Sequence, residues 1–152
     1  MALADFLKNG GIIADMGASS KQEALIELVD ALNCGCPGLD RGSVMQVLLQ
    51  REALGSTGLG DGVAIPHGKD ASVLETRVVI GRSIKGCDFA AVDGKACHIF
   101  CLIVAPQDPS SGIFGVLGHA ARIFRSAEFR KRFMEAGDAE EIRRILNSVW
   151  RD

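Results

Sequence analysis

The sequence predicts an α/β fold, α+β by connectivity: a three-layer sandwich with a mixed β-sheet flanked by helices on both faces. Three observations predict it. Residues 24 to 54 carry apolar positions at helical spacing, residues 62 to 105 carry three runs rich in β-branched side chains, and the pattern turns helical again after Pro106.

In chain order, residues 3 to 8 predict one helical turn and "GIIADM" a brief strand. Ser19, with Gln22 three residues on, reads as a capping box. It opens a helix whose apolar positions are Ala24, Leu25, Leu28, Val29 and Leu32, and "CGCPG" ends it. Asp40 caps a second helix with Val44, Val47, Leu48 and Leu54 as its buried stripe, stopped at Gly55. The runs "GVAIP", "TRVVIGRSI" and "CHIFCLIVA" predict strands; the last is apolar almost throughout, as a central strand covered on both faces should be. Helices follow over 111 to 125, 127 to 136 and 139 to 150, the last capped by Asp138 and anchored by Trp150.

The 152 residues suit one compact domain, 1–152, without internal repeats or linker-like stretches. A net charge of -2 gives no reason to expect nucleic acid or an anionic membrane as partner. The basic run "FRKRF" has acidic neighbours and reads as a solvated helix face. Cys34, Cys36, Cys87, Cys97 and Cys101 are odd in number and irregular in spacing, which argues against a disulfide framework and a zinc knuckle. Cys97 and Cys101, four apart in a strand, are expected on one face and in the core. The N-terminus lacks the charged and apolar regions of a secretory signal. The run "IFCLIVA" is far short of the ~20 residues of a membrane helix. The expectation is a soluble cytoplasmic domain with no metal and no cofactor.

The segment "REALGSTGLGDGVAIPHG", residues 51 to 68, carries the candidate chemistry. Glycines let the backbone approach an anion and turn successive N–H groups toward it. Gly55, Gly58, Gly60 and Gly68, with the hydroxyls of Ser56 and Thr57, are therefore candidate phosphate-binding residues. Pro66 stiffens the approach to His67. Arg51, one helical turn before Gly55, can present a planar fork of donors. An imidazole with an ordinary pKa of about 6.5 is nucleophilic near neutral pH. A phosphohistidine bears about two negative charges, which loop amides and Arg51 would stabilise. The segment lacks the Gly-Lys-Ser/Thr ending of a P-loop and the spacing of a Rossmann turn. No nucleophile elbow is present to support a hydrolase. Asp61 reads as a turn residue, His98 as structural and His119 as a solvent-facing helix residue.

"REALGSTGLGDGVAIPHGK" resembles the active-site segment of enzyme IIA domains of the bacterial phosphotransferase system, in the mannitol/fructose and nitrogen-regulatory (PtsN-like) superfamily. "GCDFAAVDGKACHIFCLIVAP" is similar to that family's second hallmark. "ALIELVDAL" and "SAEFRKRF" sit where the family has helices. The resemblance implies the α/β sandwich, His67 as the phosphorylated residue and Arg51 as the active-site arginine. It also implies residues 55 to 62 as the loop around the phosphoryl group. The implied function is a stoichiometric phosphohistidine carrier rather than a free-standing enzyme. It would take phosphate from an HPr/NPr-like phosphocarrier and serve a nitrogen or metabolic regulatory branch. The alternatives are a sugar-specific fructose/mannitol-type IIA component and a weakly phosphorylated docking module. A IIB component or a regulatory target would be the downstream partner, and the sequence leads us to expect no fused IIB or IIC unit.

One departure stands out. Family members that transfer phosphate well carry a second histidine at the start of the helix after "vaP", and that position is Ile113 here. His119 lies six residues on, rotated about 240° net around a helix, so it cannot take that place on the same face.

Overall fold

A computed structural model describes residues 2–7 and 11–151. After a 3-10 turn at Leu3–Asp5 the elements are β1 (Ile12–Ile13), α1 (Lys21–Cys34), α2 (Arg41–Ala53), β2 (Gly58–Gly60), β3 (Val63–Ala64) and β4 (His67–Lys69). Then come β5 (Arg77–Cys87), β6 (Cys97–Ala105), α3 (Ile113–Arg125), α4 (Ala127–Glu135) and α5 (Ala139–Val149). Lys8, in the turn predicted over 3 to 8, lies outside the described residues.

The sheet is mixed and runs β1-β5-β6-β3-β2, with β4 also on β6. The pairs β1–β5, β3–β6 and β4–β6 are parallel; β5–β6 and β2–β3 are antiparallel. Helices cover both faces, as predicted. Leu25, Leu28 and Leu48 of α1 and α2 pack with Phe100 and Leu102 on one face. Phe124, Phe133, Ile142 and Trp150 pack with Ile80, Ile99 and Ile103 on the other. Each side chain buried this fully contributes about 1.5–3 kcal/mol through removal of apolar surface from water.

Asp40 and Asp138 cap α2 and α5 as predicted, accepting from the amides of Ser43 at 3.0 Å and Glu141 at 2.9 Å. The cap of α1 is Ser20, not Ser19. The Ser20 hydroxyl accepts from the Glu23 amide, while the Glu23 carboxylate accepts from the Ser19 amide. The capping box is therefore shifted by one residue from the Ser19/Gln22 reading. Leu54, placed in the α2 stripe, is 85% exposed, because the helix ends at Ala53 and the chain turns away; Met45 is buried instead.

Cys97 and Cys101 are both buried, but on opposite faces. The cause is a register shift between Arg82 and Cys87 of β5, opposite Cys97 and Ile99. Extra residues on one strand raise the local twist and break the two-residue alternation on which the one-face expectation rested.

Candidate functional site

Of the predicted strand "GVAIP", residues 62 to 66, only Val63–Ala64 is strand, and it stops before Pro66. Gly58–Gly60 and Val63–Ala64 form a hairpin turned by Asp61 and Gly62, both at positive φ (57° and 79°). The Asp61 amide donates to the Asp93 carboxylate at 3.2 Å, so Asp61 has the turn role read from the sequence. Pro66 has no N–H to extend the ladder. The Ile65 amide turns to the Thr57 carbonyl at 3.0 Å, and the Pro66 carbonyl accepts from Ile103 at 3.0 Å. The chain re-enters the sheet at His67, which opens β4 in register with Ile103.

His67 is half-buried, and its Nδ1 lies 2.8 Å from the Ile65 carbonyl oxygen. A carbonyl oxygen only accepts, so Nδ1 carries the proton in this contact. Nε2 is left with its lone pair. In the neutral ring the backbone thereby selects the tautomer, which the sequence could not show.

α2 is laid across β4. The Asp40 amide at its start donates to Ser72 Oγ at 2.9 Å, and its end leads into the loop before β2. Gly68 permits this packing: a Cβ there would lie 2.6 Å from Val47 Cγ1. Arg51, one turn beyond Val47, is carried to the far end of the helix. It donates through Nη1 to the Gly55 carbonyl at 2.9 Å, bracing the loop, and makes no other hydrogen bond among the described residues.

The predicted phosphate-binding residues fall into two groups. Ser56 is half-buried, donates to the Phe89 carbonyl at 3.2 Å, and accepts from the Gly58 amide at 3.0 Å. Gly58 faces Ala91, where a Cβ would approach to 2.9 Å, and Gly60 sits in the hairpin away from the loop's start. Thr57 is 2% exposed, and both its amide and its hydroxyl donate to Glu52. Thr57 thus fastens the loop and has no donor left for an anion. Gly55 and the Ser56 amide stay at the open end, where no protein acceptor takes the Ser56 N–H among the described residues.

Sequence reasoning missed Glu52. This buried acid accepts from Thr57 and pairs with Lys21 Nζ at 2.8 Å, while Lys21 also lies 5.0 Å from the Phe89 ring centroid. One signal was available: an acidic side chain in the last turn of a helix opposes the macrodipole and so has another reason to be there.

Asp70 was missed too. It closes β4 from the other end, taking the Ser43 hydroxyl and the Ser72 amide (2.9 Å) and hydroxyl (2.5 Å). Burial raises its pKa, but these hydrogen bonds outweigh it and hold the carboxyl below its usual range.

The other histidines lie apart from this arrangement. His98 Nδ1 donates to the Ser83 carbonyl at 2.8 Å, the structural role read for it. His119 is not solvent-facing: it is half-buried against Trp150, ring centroids 5.2 Å apart, and burial with nearby Arg122 lowers its pKa. Ile113 is 3% exposed in the core cluster at the first turn of α3. No helix among the described residues is long and apolar enough to cross a membrane.

The structure thus sets a half-buried imidazole at the start of β4 and an arginine-braced glycine loop at the end of α2, the helix packed on that strand. The chain belongs to the family "Phosphoenolpyruvate-dependent sugar phosphotransferase system, EIIA 2", whose model matches residues 5–149. It is 32% identical over 146 residues to the nitrogen regulatory protein of Bradyrhizobium diazoefficiens, covering 96% of this chain and 95% of that one. It is 30% identical over 147 residues to the fructose-specific EIIABC component of Bacillus subtilis, covering 97% of this chain but 23% of that protein's length. Its structure resembles that of the nitrogen regulatory protein IIA-Ntr from Neisseria meningitidis, with a TM-score of 0.85 and 34% identity over 93% of this chain and 97% of that one.

Proposed function

We propose that this protein is a phosphohistidine carrier of the phosphotransferase system. It accepts a phosphoryl group on His67 from an HPr/NPr-like protein and works in a nitrogen or metabolic regulatory branch. The observation that carries this reading is the Nδ1–H bond to the Ile65 carbonyl, which in the neutral ring leaves the lone pair on Nε2. In the transfer, the Nε2 lone pair attacks phosphorus. The donor's P–N bond breaks, its electron pair returns to the donor imidazole, and the proton stays on Nδ1, hydrogen-bonded to the Ile65 carbonyl. The phosphoryl charge that develops is met by the open amide of Ser56 and by the remaining donors of Arg51.

The regulatory branch is favoured by end-to-end similarity to a nitrogen regulatory protein. A sugar-specific role with a IIB acceptor is the alternative supported by the fructose-specific relative. A second reading, a docking module with weak phosphorylation, draws on exposed Leu54 and Phe114 and on Ile113 where the resemblance expects histidine. The test is incubation with phosphoenolpyruvate, enzyme I and an HPr-type carrier, read by intact mass. Gain of one acid-labile phosphoryl group, absent in His67→Ala, is the expected result. No gain from a competent donor leaves the docking module.

A further inference from the structure

We propose that Lys69 is the cation that contacts the phosphoryl group on His67. The inference deepens the carrier reading above and rests on it.

It follows first from which way the strand faces. Val63 and Ile65 pack on the side of α3 to α5, and Ala64 on the side of α1 and α2. β4 continues this alternation through its register with β6. Gly68 pairs with Val104, which packs toward α1 and α2, and Gly68 itself meets Val47 of α2. His67 pairs with Ile103 and Lys69 with Ala105, both on the α3 side. His67 and Lys69 therefore share one face, about 6.6 Å apart along the strand, within reach of a four-carbon side chain.

The second argument is what occupies the Lys69 ammonium. It makes no ion pair among the described residues. It lies 5.8 Å from the ring centroid of Phe114, in the first turn of α3. A ring face orients an ammonium without neutralising it. Asp108, the acid on which the Lys69 charge acts, is engaged by the Ser110 amide at 2.9 Å. Lys69 is thus a charge on the His67 face of the strand with no ion pair among the described residues, Asp108 lying beyond ion-pair distance. Arg51 approaches from the α2 side, so the two cations would hold a dianion from opposite faces of the edge strand. Ile113, with no donor of its own, begins the helix whose next residue orients the lysine.

The test compares wild type, Lys69→Met and Lys69→Arg. His67 is loaded either from a phosphorylated HPr-type carrier or chemically with phosphoramidate. Two quantities are read: the rate of loading from the carrier, and the midpoint of the phosphohistidine 31P resonance as pH is varied. Loss of a charge-assisted contact should slow loading of Lys69→Met about tenfold. Its 31P midpoint should rise, because the dianion loses a neighbouring positive charge, and Lys69→Arg should restore both. A merely structural lysine would leave the midpoint of the labelled protein where it is. Equal midpoints and rates in wild type and Lys69→Met overturn the assignment of Lys69 alone. A wild-type protein that the carrier cannot load, yet that phosphoramidate labels, overturns the carrier reading instead.

Discussion

The Glu52 carboxylate takes both the amide and the hydroxyl of Thr57, so the loop before the candidate site is pinned to the last turn of α2 from inside. Lys21 completes the charge balance from α1, and Arg51, the next residue back, braces the same loop at Gly55. Adjacent positions on one helix thus hold the loop from its buried and its open side.

Glu52→Ala should be severe. It leaves two Thr57 donors and the Lys21 ammonium without a partner in a buried setting, at a cost of about 2–4 kcal/mol. Glu52→Gln, which keeps the shape and one acceptor, should cost less. Urea midpoints check the order, and amide exchange at Thr57 and Gly58 should accelerate before the sheet does. Equal midpoints for wild type and Glu52→Ala would show that the network is not needed.

Asp70 gives the fold an acid-sensitive clasp. Its carboxyl is held below the usual range by Ser43 and Ser72 despite the opposing effect of burial. A carboxyl whose folded pKa is depressed stabilises fully above its unfolded value of about 3.9, and that contribution is lost as pH falls through the native value. Asp70→Asn should therefore cost about 1–3 kcal/mol near neutral pH and progressively less in acid. Denaturant midpoints of both proteins from neutral to acidic pH should converge. A gap that stays constant would refute the linkage.

Much of this was legible beforehand, and the misses share a cause. Layer order, the two aspartate caps and the candidacy of His67 rest on local signals: periodicity, cap chemistry and a glycine-proline segment around one imidazole. The misses concern partners distant in sequence. Thr57 reads as a loop hydroxyl until Glu52 is seen to face it, and His119 reads as solvent-facing until Trp150 closes over it. Cys97 changes face because of a bulge on the neighbouring strand. The end of the "GVAIP" strand before Pro66 lay within reach of the sequence, since Pro66 cannot donate to a ladder.

The cysteines should separate cleanly by reactivity. Cys34 is exposed and Cys36 half-buried, whereas Cys87, Cys97 and Cys101 are buried. Burial pushes the Cys97 thiol up to about 12 and raises Cys101 as well. Since the thiolate is the reactive form, a thiol reagent at neutral pH should label Cys34 and then Cys36 in the native protein, and all five only after unfolding. Rapid native labelling of Cys97 by peptide mapping would contradict the packing of β6.

Arg82 poses the sharpest energetic question. Its side chain is 3% exposed, yet no carboxylate pairs with it among the described residues. Nε donates to the Ala14 carbonyl at 2.9 Å, and Nη1 reaches the Phe133 and Ala136 carbonyls at 3.2 and 2.6 Å. Phe133 lies in the last turn of α4 and Ala136 caps it, so the guanidinium meets the negative end of a helix dipole in place of a counter-ion. It ties β5, the turn after β1 and the end of α4 together. Lysine keeps the charge but lacks the fork that serves carbonyls in several directions. The expected stability order is wild type, Arg82→Lys, then Arg82→Met, the last lower by about 3 kcal/mol because several buried carbonyls lose their donor. Denaturant unfolding measures the order, and faster amide exchange at 134–137 would localise it. If Arg82→Met matched wild type, the cost of burying the charge would equal what its hydrogen bonds return. The joint between sheet and helices would then rest on the apolar contacts of Phe133 and Ile142.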